Sequence, residues 1–171
     1  MIWPDSISET YYYPSCIVPF VIILGASSIL LMCYGGYDKT DDILNTIAGI
    51  FGLCILIFPM WNPEKYIGTF QLPNNLSNIF HMVSAIVFFA LLAYISIFQF
   101  TKSNGEMTEN KRKRNIIYIA CGFGMLLSFA LMTLPAFHSR IWLVETIALA
   151  FFGISWLTKA DHYKWLFADK D

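Results

Sequence analysis

Two ionisable side chains, His81 and Glu145, stand inside long apolar runs of this 171-residue chain, where an unpaired charge is costly and each calls for a partner or a purpose. The sequence supplies further acid, base and ligand types that could join them. Asp5, Ser6, Ser8, Glu9 and three tyrosines, Tyr11, Tyr12 and Tyr13, lie near the start, and His138 and Arg140 lie between the last two apolar runs. Two imidazoles with two carboxylates, His81, His138, Glu9 and Glu145, suit a divalent metal such as zinc with one position left for water. The same groups suit proton exchange. A metal so held would generate hydroxide for hydrolysis, with a carboxylate as general base. The chain has no HExxH, no histidine pair at helical spacing and no GxSxG elbow, which are the spacings that would specify such chemistry.

Two other readings use the same residues. In one, Glu145 pairs with Arg140, His81 or a tyrosine hydroxyl and fastens the first residues over the rest. In the other, Ser6, Glu9, Tyr12, His81, His138, Arg140 and Glu145 line an outward pocket for a lipid headgroup or small amphiphile. The pocket is the leading expectation. A metal-dependent lipid hydrolase and an oligomeric pore or membrane effector triggered by a partner are the alternatives. No haem-attachment motif or dinucleotide fingerprint is present, and no lysine sits mid-run to carry a retinal Schiff base.

A second polar cluster comprises Asp38, Asp41, Asp42 and Asn45 before one apolar run and Lys111, Arg112, Lys113, Arg114 and Asn115 before another, with Tyr118 a turn further on. The acidic residues suit a helix N-terminus and the basic run suits anionic lipid. A sharper expectation is an Asp42 to Arg114 pair that locks two helix starts together.

The elements that must position these residues follow from composition. The chain is 57% hydrophobic and 13% charged, whereas about a quarter of a soluble domain is charged, so the expected solvent is lipid. Crossing a bilayer core takes about 20 apolar residues. Five runs approach or meet that length, at about 17–37, 43–60, 77–100, 116–134 and 141–158. They are continuous rather than alternating, which favours helices. The expectation is a single membrane domain, an all-α bundle of five transmembrane helices. Nine of the eleven Lys and Arg residues fall on one side: Lys39, Lys102, Lys111, Arg112, Lys113, Arg114, Lys159, Lys164 and Lys170. Lys65 and Arg140 fall on the other. Positive loops stay in the cytoplasm, so residues 1–16 are placed outside, and the basic loop 101–115 and the C-terminus inside. Trp3, Trp61 and Trp142 would mark the outer interface, with Trp156, Tyr163 and Trp165 at the inner one. Nothing before Lys39 is basic and the first run is too long for a signal-peptide core, so the first helix is expected to be retained. The near-neutral net charge gives no electrostatic case for nucleic acid. Cys16, Cys33, Cys54 and Cys121 are dispersed and read as buried thiols. Ala48 and Gly52, and Ala120, Gly124 and Ser128, recur every four residues and suit close helix packing, with a homo-oligomer face as the further use. No inverted repeat of the transporter kind is evident.

The ordered strings SISETYYY from Ser6, GYDKTDD from Gly36, NTIAGIFGL from Asn45, KRKRNIIYIACG from Lys111 and ETIALAFFGISW from Glu145 resemble a bacterial family of small multi-pass membrane proteins of unknown function. The resemblance runs from about Ser6 to Lys159. It implies a bacterial cytoplasmic membrane location and makes Ser6, Ser8, Tyr12, Asp38, Asp42, Asn45, His81, Arg114, Asn115, Tyr118 and Glu145 pattern positions. It brings no established reaction. The segment Pro14 to Val18 departs from the pattern in lacking a charged pair. A looser analogy is to the alkaline ceramidase and adiponectin-receptor superfamily, where intramembrane histidines hold zinc; five runs instead of seven argue against membership.

Overall fold

The structure, a computed structural model, describes residues 4–62, 72–103 and 105–160, the side chains of 138 and 139 excepted. The expectations for Trp3, Lys65, Tyr163, Lys164, Trp165 and Lys170, and for the His138 side chain, lie outside the described residues. The described chain is all-helical. It comprises α1 (Ile17–Cys33), α2 (Lys39–Ile57), α3 (Asn74–Tyr94), α4 (Glu109–Met132) and α5 (Ile141–Lys159). A short 3-10 turn, Ser8–Tyr12, precedes α1, a π-helical turn, Ile95–Gln99, extends α3, and a second 3-10 turn, Pro135–Arg140, leads into α5. Four of these helices, α3 being counted with its extension, are long and apolar enough to cross a membrane. The fifth, α1, is apolar throughout but has 17 residues.

Helix ends differ from the apolar runs because capping, not hydropathy, sets them. Asp38 accepts a hydrogen bond from the Asp41 amide at 3.0 Å, so α2 starts at Lys39, four residues before its apolar run. Thr108 accepts from the Lys111 amide at 3.2 Å, and Glu109 pairs with Lys113 one turn on at 2.9 Å. The basic run expected in a loop is therefore the first two turns of α4. At the other extreme α1 stops at Cys33, where Tyr34 turns to extended backbone ahead of Gly35 and Gly36.

Consecutive helices pack on one another, α1 on α2 through to α4 on α5. Small residues let them approach. A Cβ on Gly49 would run into the Ser28 carbonyl and Met32 of α1, and one on Gly52 into the Ser28 hydroxyl. Gly124 lies against the Phe151 ring, and Ala48 and Ser128 are buried. The expected small-residue stripe thus serves packing within the chain at these positions, while Ala120 is exposed. Gly52→Val is expected to cost about 1–3 kcal/mol by overpacking the α1–α2 contact, read as a lower midpoint for unfolding in mixed micelles.

Serines tie the π-helical turn to its neighbours: Ser96 Oγ donates to the Tyr118 carbonyl at 3.0 Å and lies 2.5 Å from the Ser155 hydroxyl. Such turns interrupt a helix where a side chain must be re-aimed. At this end of the bundle Tyr34, Phe100, Tyr118 and Trp156 form a ring cluster, with Tyr34 and Trp156 centroids 4.9 Å apart. The cluster joins α1 to α5. Outward faces carry large apolar side chains, among them Val18, Ile22 and Ile29 on α1 and Ile116, Phe123 and Leu127 on α4, where a water-soluble bundle would be polar.

Candidate functional site

Before α1 the chain is folded by its own side chains. Ser6 accepts from the Glu9 amide at 3.1 Å, and the Glu9 carboxylate accepts from the Asp5 amide at 2.6 Å. This is a close variant of the S-x-x-E capping box, readable at Ser6 to Glu9. The Ser6 hydroxyl also donates to the Met60 sulfur at 3.2 Å, and the Tyr12 hydroxyl donates to the Met60 carbonyl at 2.5 Å. Burial, with Tyr11 beside it, raises the Tyr12 hydroxyl above its usual pKa, so it remains a donor at neutral pH. Tyr12→Phe is expected to cost about 0.5–1.5 kcal/mol, measured as a lower unfolding midpoint and faster proteolysis of the first fifteen residues.

The same segment docks on α5. The Ile7 amide donates to Glu145 Oε2 at 2.5 Å, and the Trp142 amide donates to the Asp5 carbonyl at 2.9 Å. Glu145 therefore does fasten the N-terminal segment. Its partner is a backbone amide rather than the expected Arg140, His81 or tyrosine hydroxyl; Arg140 is exposed at the N-cap of α5. The other carboxylate oxygen has no partner among the described residues.

His81 is buried in α3 with Nδ1 2.9 Å from the Phe58 carbonyl. Ser77, one turn earlier, donates to the Pro59 carbonyl at 2.9 Å, and Asn78 accepts from the Trp61 amide at 2.9 Å. Together they hold the exit of α2. Among the described residues no three His, Cys, Asp or Glu side chains form a group that could hold an ion, so His81, Glu9 and Glu145 do not assemble into one.

Behind this polar rim lies a cavity of about 700 Å³ between α1 and α5. Its walls are apolar: Phe20, Leu24 and Leu31 of α1, Phe88 of α3, and Phe152 and Trp156 of α5. Glu145, Ile7 and Ser8 lie at one end and Trp156 and Leu157 at the other, about 16 Å apart along α5 at 1.5 Å per residue. Gly153 forms part of the wall, and a Cβ there would meet open space. The sequence signal is the spacing of Glu145, Leu149, Phe152, Gly153 and Trp156, one helical stripe with a carboxylate at its head. Ala148, nearly one turn beyond Glu145, is buried in the bundle.

The opposite end holds the second cluster, centred on residues outside the expected pair. Lys102 donates to Asp38 at 2.9 Å and to the buried Asp41 at 2.6 Å. Asp41 also accepts from the Tyr37 amide at 3.0 Å. Asp42 accepts from the Gly36 amide at 2.7 Å, Asn45 donates to the Tyr34 carbonyl at 3.1 Å, and Asn115 donates to the Thr101 carbonyl at 3.4 Å. Tyr118 enters through its ring and its carbonyl. The ion pair that ties α2 to the α3–α4 link is thus made by Lys102, outside the basic run of Lys111 to Arg114. Beside it, Gln99 is buried with both amide atoms unpartnered among the described residues.

No protein-family model, curated protein or solved structure matches the chain.

Proposed function

We propose that this is a five-span membrane protein, its N-terminus outside and its C-terminus in the cytoplasm, that holds an amphiphile in the cleft between α1 and α5. One acyl chain occupies the apolar cavity and the headgroup sits at the Glu145 end. The observation that carries this reading is an apolar cavity of about 700 Å³ with the half-buried Glu145 carboxylate at one end. Its length of about 16 Å is that of one leaflet, half of a hydrocarbon core about 30 Å thick. The volume falls within the ordinary range for small-molecule sites, roughly 300–1,000 Å³. The 17 residues of α1 give about 25 Å of helix, and the aromatic residues that follow it continue to the interface. The bias of Lys and Arg supplies the orientation, and the resemblance of the ordered strings supports a bacterial cytoplasmic membrane.

Glu145 has two roles in this account: it anchors the Ile7 amide and offers its other oxygen to a hydroxyl or ammonium of the headgroup. Glu145→Ala is expected to leave the Ile7 amide unpaired, costing about 1–3 kcal/mol, and to reduce amphiphile retained through purification from membranes. Glu145→Gln keeps an acceptor for Ile7 and is expected to recover most of the stability. Retention equal to wild type in both variants would refute a headgroup at this end. The hydrolase alternative gains no supporting contact, since His81 and Glu145 are each engaged by separate backbone groups.

A further inference from the structure

We propose that the end of the bundle opposite Glu145 binds a phosphate-bearing anion between Lys111 and Lys159. Lys111 is 8% exposed, yet among the described residues its ammonium meets only neutral groups: the Phe100 carbonyl at 2.9 Å and the Tyr118 ring at 5.6 Å. Lys159, the last residue of α5, donates to the Tyr37 hydroxyl at 2.8 Å and lies over the Phe100 ring at 5.7 Å. Both ammoniums thus converge on Phe100 from different helices. Neither has a carboxylate within ion-pair distance among the described residues, and the nearby Asp38 and Asp41 are taken by Lys102.

Bringing two like charges together in a partly buried place is unfavourable unless a counter-charge accompanies them. Ring faces and helix C-terminal carbonyls offset part of that cost. An anion between them offsets the rest. Phosphate fits the available donors: each ammonium carries three N–H groups, and the Tyr37 hydroxyl, which accepts from Lys159, keeps its own proton to donate. Arg114, one turn beyond Lys111 on the same helical face, adds positive charge. A lipid phosphodiester and free phosphate present the same oxygens.

The test uses the full chain in phosphatidylcholine nanodiscs at low salt. One arm titrates inorganic phosphate by calorimetry, and the other replaces part of the lipid with phosphatidylglycerol and counts retained lipid by native mass spectrometry. Binding is expected in at least one arm. Lys159→Gln, which leaves the Lys111 contact to Phe100 intact, is expected to weaken it about tenfold, the equivalent of one charged hydrogen bond. Lys113→Gln, whose partner is the exposed Glu109, is expected to leave it unchanged. Binding in the lipid arm alone assigns a headgroup, and binding of phosphate assigns a free anion. No binding in either arm, or equal weakening by Lys159→Gln and Lys113→Gln, would overturn the site.

Discussion

Replacing Gly153 with leucine is expected to stabilise the protein and expel the proposed amphiphile. Glycine inside a helix costs about 1 kcal/mol relative to alanine, and the Cβ position at Gly153 opens into the cavity rather than onto a neighbour. A leucine there fills part of the cavity that Gly153 lines. The expected gain is about 1–2 kcal/mol, with retained amphiphile falling by roughly tenfold or more, each factor of ten being 1.4 kcal/mol. The same type of change at Gly52 has the opposite sign, because there the new side chain meets Ser28 of α1. Unfolding in mixed micelles and mass spectrometry of extracted lipid measure the two effects independently. A stabilised Gly153→Leu protein that retains its full complement of amphiphile would place the ligand elsewhere.

The second large effect belongs to Asp41. This carboxylate is buried, receives Lys102 on one oxygen and the Tyr37 amide on the other, and so holds the start of α2 to both adjoining connections. Asp41→Ala is expected to cost about 2–3 kcal/mol, below the 3–5 kcal/mol of a fully buried pair because Lys102 keeps solvent and Asp38 as alternatives. The ion pair also imposes a pH dependence. The Lys102 ammonium hydrogen-bonded to Asp38 holds that carboxyl below its ordinary value of 3.8. Asp41 and then Asp38 hold the ammonium above its ordinary 10.5. The acid arm of stability is complete above the ordinary carboxyl value and is lost as pH falls through the lowered one. The basic arm is complete below the ordinary lysine value and is lost as pH rises through the raised one. Lys102→Gln is expected to flatten both arms, which unfolding midpoints measured across pH would register.

The apolar runs that predict α2 to α5 needed only length and composition, because the cost of unpaired backbone in lipid leaves little choice of structure. Their ends were less legible. Asp38 and Thr108 extend α2 and α4 into polar sequence by capping, and hydropathy is blind to that. Among the site residues, Ser6, Glu9, Tyr12 and Glu145 do gather at one end, as their placement on alternate sides of the runs predicts. Their partners were hidden because three of those bonds use backbone groups, the Ile7 and Asp5 amides and the Met60 carbonyl, which residue types do not announce. The cavity was hidden for a different reason: its two walls, α1 and α5, are far apart in sequence, and only the closure of the bundle at Tyr34 and Trp156 brings them face to face. The contacts of Lys102 and the burial of Gln99 are not legible in the sequence because both sit where α3 runs into its link, a position that reads as the frayed end of an apolar run.

The most direct test of the amphiphile cleft is photo-cross-linking with a lysophospholipid that carries a diazirine at the end of its acyl chain, using the full chain in nanodiscs. Adducts mapped by peptide mass spectrometry are expected to concentrate at the end of the cavity far from Glu145, on Phe152, Trp156 and the facing Leu31, and to disappear in Gly153→Leu. Adducts spread over the outward apolar residues, such as Ile22, Ile116, Phe123 and Leu127, and unchanged by Gly153→Leu, would contradict the account.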